Sequence, residues 1–167
     1  MKKTKRLALL AILTAAALAV YVIEAQFPIP VPVPGLKLGL SNCFTVFAMF
    51  VLGPLDALAV LLIRVVLGGL LTGQVSGILF SLCGGLASYA VLFAMRRIDP
   101  CRQLWAVSTV CAMVHNLAQT VLASFVMGST EVFWYLPVLL PAAIIAGVFT
   151  GVLAQLLIKR LNMKRSG

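Results

Sequence analysis

Four polar side chains stand at positions where an apolar helix tolerates them only for a reason. Arg64 lies midway through the run 54–71, and His115, Asn116 and Gln119 lie midway through 104–127. A charge at the centre of a membrane helix costs at least ~2.5 kcal/mol on insertion scales, so Arg64 must face protein or water. His115 and Gln119 are four residues apart and share a helix face. Together they make a polar patch at half depth in an otherwise apolar bundle. A cation with no acid in its own run points to an anionic or carbonyl-rich ligand. Packing readings stand beside this one. Arg64 can pair with Glu24 or with helix carbonyls, His115 can be a satisfied core histidine, and Asn116 and Gln119 can bond between helices.

A second constellation lies between the first two apolar runs. Phe27-Pro28-Ile29-Pro30-Val31-Pro32-Val33-Pro34-Gly35 alternates proline with apolar residues. Each proline removes a backbone donor and fixes φ, so the stretch is neither helix nor central strand and favours an extended polyproline conformation. Residues 24–35 read as an outer loop. They are either a stiff linker or a preformed flap over a pocket mouth, whose stiffness limits the entropy lost on closing. In the flap reading Glu24, Lys37 and Asn42 lie near the mouth. The segment Lys37-Leu38-Gly39-Leu40-Ser41-Asn42 leads into the second helix, where a helix N-terminus can hold an anionic or polar group.

Other chemistries lack their residues. Prenyl transfer needs clustered aspartates to hold magnesium on a diphosphate, but Asp56 and Asp99 are isolated. No Ser/His/Asp set, P-loop or metal cluster can be assembled from one histidine and four acidic residues. Cys43, Cys83, Cys101 and Cys111 form no CxxC pair and read as small apolar side chains. The expectation is a protein that is not an enzyme, carries no cofactor or metal, and depends on a partner for any ATP hydrolysis.

The elements that would position these residues follow from composition. The 167 residues are 62% hydrophobic and only 10% charged, with mean hydropathy +1.12. Such a chain cannot cover a soluble surface with polar groups. Six apolar runs approach the ~20 residues that span a bilayer: about 7–23, 36–52, 54–71, 77–95, 104–127 and 133–158. The expected fold is therefore an all-α integral membrane protein with six transmembrane helices in one bundle. Gly53-Pro54, Thr72-Gly73, Asp99-Pro100 and Gly128-Ser129 supply the breaks. The basic start followed by an apolar run mimics a signal peptide, but the run is long and further spans follow, so an uncleaved first helix is expected.

Charge sets orientation. Eleven of the thirteen basic residues fall before the first run, between the fourth and fifth, or after the sixth. With six spans all three regions share one side, and the positive-inside rule makes it the cytoplasmic one. Five spans would split the two basic ends across the membrane. The expected location is a bacterial-type cytoplasmic membrane, multi-pass, with both termini inside. The net charge of +9 is thereby assigned to topology and anionic lipid, not to nucleic acid. Small residues also recur every four positions, letting helix backbones approach closely. The rows are Ala11, Ala15 and Ala19; Gly69, Gly73, Gly77, Ser81 and Gly85; and Ala143, Gly147 and Gly151. The last two suit packing within the bundle, and the alanine row can equally dock another membrane subunit.

The stretch Glu24-Ala25-Gln26-Phe27-Pro28-Ile29-Pro30, with Pro34-Gly35-Leu36-Lys37-Leu38-Gly39-Leu40-Ser41-Asn42 after it, resembles the Gx transporter family, also labelled heptaprenyl diphosphate synthase component I. The wider pattern resembles the substrate-binding S components of energy-coupling factor transporters. That resemblance implies six helices, an outer gating loop after the first, and docking on a shared membrane subunit through an alanine row, here Ala11, Ala15 and Ala19. The implied partners are membrane lipid, a small-molecule substrate, an energy-coupling membrane subunit and ATPases. The family's association with quinone and flavin genes implies a ligand of that kind. The synthase label implies instead a non-catalytic accessory or scaffold of a prenyl-synthase or electron-transfer complex. A transporter working alone has few intramembrane acids for proton coupling.

Overall fold

A computed structural model describes residues 3–26, 39–98 and 103–163. Within them the chain forms α1 (Lys3–Gln26), α2 (Asn42–Val51), α3 (Pro54–Leu71), α4 (Val75–Ile98), α5 (Leu104–Met127), a 3-10 segment (Thr130–Tyr135) and α6 (Leu136–Met163). The proline stretch and Lys37 lie outside the described residues, as do Asp99 to Arg102.

Local chemistry sets the helix ends. Gly53 at φ 119° admits the turn before α3, Pro54 takes the first helical position, and Asp56 lies in the positive first turn. The hydroxyl of Thr72 donates to the carbonyl of Gly68 at 2.8 Å and closes the other end of α3. Arg96 and Arg97 occupy the last turn of α4, where carbonyls face outward. Past Gly128 the chain turns, and Ser129 Oγ accepts the N–H of Glu131 at 3.1 Å. The run expected as one helix from 133 thus opens in 3-10 geometry and becomes α-helical at Leu136, with Pro141 inside it.

Five of these helical stretches are long and apolar enough to cross a membrane. α2 is the exception, because its 10 residues rise only about 15 Å, half the thickness of a bilayer core. The run expected over 36–52 is helical only over Asn42–Val51 among the described residues. Yet α2 is the centre of the bundle. It packs against α1, α3, α4, α5 and α6, whereas α1 packs mainly on α2 and α3. Six of its residues, Cys43, Thr45, Val46, Phe47, Ala48 and Met49, are buried.

Large apolar side chains crowd the outside. Leu70, Phe125, Ile145, Phe149 and Leu156 are all more than half exposed. A contiguous apolar exterior of this kind belongs against lipid tails. Trp105 and Trp134, near opposite ends of the bundle, are also exposed, as interfacial tryptophans are. This is the fold of a multi-pass membrane protein.

The tightest helix pair is α5 with α6. A Cβ added at Gly147 would lie 2.6 Å from the Thr109 backbone, and one at Gly151 would lie 2.5 Å from that of Trp105. Ala143 continues this face and is fully buried. By contrast Ala11, Ala15 and Ala19 are exposed, while Leu13, Ala17, Tyr21 and Glu24 form the buried side of α1. We therefore expect Gly151→Leu to destabilise the bundle by about 2 kcal/mol or more, since neither backbone can yield, and Ala19→Leu to leave stability within about 0.5 kcal/mol. Thermal melts in detergent check this; equal melting temperatures would show that the α5–α6 contact is not close-packed.

Candidate functional site

Arg64, on α3, is buried, and no lysine or other arginine is among the buried side chains of the described residues. Its burial requires donors to be matched and charge to be balanced nearby. α2 supplies the first partners. One guanidinium nitrogen, Nη1, donates to Ser41 Oγ, and the other, Nη2, donates to Asn42 Oδ1 at 2.7 Å. With Oδ1 turned to Arg64, the amide Nδ2 of Asn42 faces His115 Nδ1 at 3.2 Å. An amide nitrogen can only donate, so His115 Nδ1 must accept and its proton must sit on Nε2. The cation on α3 thus fixes the tautomer on α5 through one asparagine.

The chain entering α2 is held by α1. The carboxylate Oε1 of Glu24 accepts the N–H of Gly39 at 2.5 Å and that of Leu40 at 3.3 Å. Gly39 has φ 76°, and a Cβ there would meet Asn42 Nδ2 at 2.8 Å and the His115 ring at 3.2 Å. Only glycine satisfies both the left-handed backbone and the close approach. From α4, Ser81 Oγ lies 3.2 Å from the hydroxyl of Tyr21. Tyr21, Glu24, Ser41, Arg64, Ser81 and His115 line one small cavity of about 10 Å3, the space of about one water molecule.

The expected site residues therefore divide. Glu24, Asn42, Arg64 and His115 come together across α1, α2, α3 and α5. Gln119 is buried one turn beyond His115, and both pack on Gly84 of α4, where a Cβ would meet each at 2.9 Å. Asn116 points elsewhere: its Nδ2 donates to the Leu139 carbonyl of α6 at 3.3 Å, joining α5 to α6. Lys37 lies outside the described residues. Tyr21 and Ser81 belong to the cluster but carried no site reading in the sequence, whereas Gly39 lies in the segment read as able to hold an anionic or polar group. Tyr21 had a usable signal, since it shares a helix face with Glu24, three residues on. Gly84 had none, because its role is to be small opposite two long side chains.

Chemically the cluster combines three kinds of polar group. It offers a delocalised cation, backbone N–H groups at the entry to a helix, and a neutral imidazole held by an amide. Glu24 is tied to backbone N–H groups and Asp56 is ion-paired to Arg6 at 2.6 Å near the far end of α1, so the two are not a metal-holding pair.

Arg64→Met is expected to cost about 3–5 kcal/mol, because it leaves the Glu24 charge buried without its cation. Adding Glu24→Gln should recover part of that loss, giving a coupling of roughly 1–3 kcal/mol in a double-mutant cycle. Additive losses in thermal or denaturant unfolding would show that the two charges do not interact.

Residues 13–157 match the family described as heptaprenyl diphosphate synthase component I. The match covers most of the chain, which belongs to that family. No curated protein and no solved structure matches it.

Proposed function

We propose that this member of the heptaprenyl diphosphate synthase component I family is a membrane substrate-binding subunit. It binds a small anionic or carbonyl-rich solute for uptake and is energised by partner subunits. One observation carries the reading. A cation and a helix N-terminus meet at half depth in an apolar bundle, where burying them only for packing is costly. Helices that start within the membrane and aim their N-termini at anionic groups are a recurrent device of transport sites, and α2 has that form.

The resemblance to S components supports an energised partner docked on α1. The exposed face carrying Ala11, Ala15 and Ala19 presents small side chains at four-residue spacing, as close helix–helix docking needs. The charge distribution supports six membrane passes with both ends in the cytoplasm. In that reading α2 and the segment before it make the second pass together. The scattered acids support a non-catalytic role, since prenyl transfer needs them paired on magnesium.

The alternative is an accessory or scaffold of a polyprenyl diphosphate synthase or an electron-transfer complex. The family's description favours it, and so does a cavity that holds only about one water. Affinity purification from native membranes with mass spectrometry separates the two. Uptake predicts an ATPase pair and a membrane coupler, lost from Ala11→Leu/Ala15→Leu/Ala19→Leu. A prenyl-synthase or redox subunit, with no retained metabolite, would overturn it. For topology, cysteines introduced at Lys3 and Lys159 should both react with impermeant thiol reagents only from the cytoplasmic side. Reaction at opposite faces would exclude six passes.

A further inference from the structure

We propose that Glu24 stands where a ligand's acidic group binds, and that the group recognised is a compact carboxylate. This deepens the binding-site reading and rests on it.

Two sources of positive potential converge on Glu24. The first is the entry to α2, where the N–H groups of Gly39 and Leu40 both point at one carboxylate oxygen. The first N–H groups of α2, those of Asn42, Cys43 and Phe44, are taken by the carbonyls of Gly39, Leu40 and Ser41, so Gly39 and Leu40 supply the donors of this entry. The second is Arg64, 2% exposed, which lines the same cavity as Glu24. Its Nη atoms are engaged by Ser41 and Asn42. Its Nε has no hydrogen-bond partner among the described residues, so the guanidinium keeps a donor for an acceptor that is not Ser41 or Asn42.

The donors come from α3 and the approach to α2, whereas the carboxylate comes from α1. Nothing in the donor set depends on that carboxylate being covalently attached to α1. Swinging the Glu24 side chain away frees both N–H groups beside the cavity that Arg64 lines. An incoming carboxylate then replaces charge for charge, so the exchange leaves the charge of the buried site unchanged. A phosphate group carries more charge than the single one it would replace.

The test needs no knowledge of the natural solute, because acetate is the group itself. Glu24→Ala leaves the donors and removes their occupant. We expect this variant to melt below the wild type and acetate to raise its melting temperature saturably, on the order of 5 °C. Acetamide, neutral and of the same shape, should not do so. The wild type should not respond to acetate, and the effect should vanish in Glu24→Ala/Arg64→Met. An equal response to acetate and acetamide, or stabilisation by inorganic phosphate and not acetate, would overturn the assignment. If Glu24→Ala cannot be purified, Glu24→Gln keeps the shape and strands Arg64 without a counter-charge. It should then melt higher in formate than in chloride at equal ionic strength, unlike the wild type. Identical melting in the two salts overturns the proposal. Failure of the acetate rescue leaves the co-purification result untouched, and absence of a coupling partner leaves the rescue untouched.

Discussion

A guanidinium enclosed in an apolar bundle has to be neutralised and hydrogen-bonded where it stands, and much of this architecture follows from Arg64. Its side chain lies midway along α3, far from either end, so partners must come to that depth. They come from Ser41 and Asn42. α2 must therefore begin inside the bundle, and this is why it is half the length of its neighbours. Because Asn42 must turn its oxygen to the cation, its nitrogen must face His115, and the imidazole is set as a neutral acceptor. One charge thus orders groups on three elements, with Glu24 as the acid that shares its cavity.

Such a network is compact only because small residues stand opposite long ones. Gly84 admits His115 and Gln119, Gly39 admits His115 and Asn42, and Gly68 admits the ring of Tyr21. The same rule operates without polar groups along α5 and α6, where Gly147 and Gly151 bring backbone against backbone. In lipid there is little hydrophobic drive to hold helices together, so close packing and buried hydrogen bonds must do it. The exposed alanines of α1 obey a different constraint, because their small side chains face away from the bundle.

Binding and scaffolding place different demands on the same cluster. A scaffold needs it filled and still, and the structure leaves it space for about one water. A binding site needs its occupant to be exchangeable, and Glu24 is held by two backbone N–H groups that donate to its carboxylate. The donors are common to both roles. What separates them is whether the Glu24 side chain leaves.

Composition by itself determined the class: a chain so apolar and so poor in charge can only fold against lipid, and an α-helix satisfies its own backbone there. Particular residues also marked where helices end. Gly53 and Pro54 open α3, and Gly128 stops α5, each through a backbone preference that needs no neighbour. The polar residues stood out one by one because burying them is costly wherever they go. Hydropathy could not reveal that, among the described residues of the second apolar run, the helix starts at Asn42, since an apolar residue reads alike in helix and in turn. That boundary is set by Gly39 in a left-handed conformation and by Glu24 and Arg64 reaching in from other helices. Nor could spacing separate His115, turned to Arg64's partner, from Asn116, turned to α6. Adjacent residues on a helix point about 100° apart, and only the positions of α2, α4 and α6 around α5 decide what each one meets.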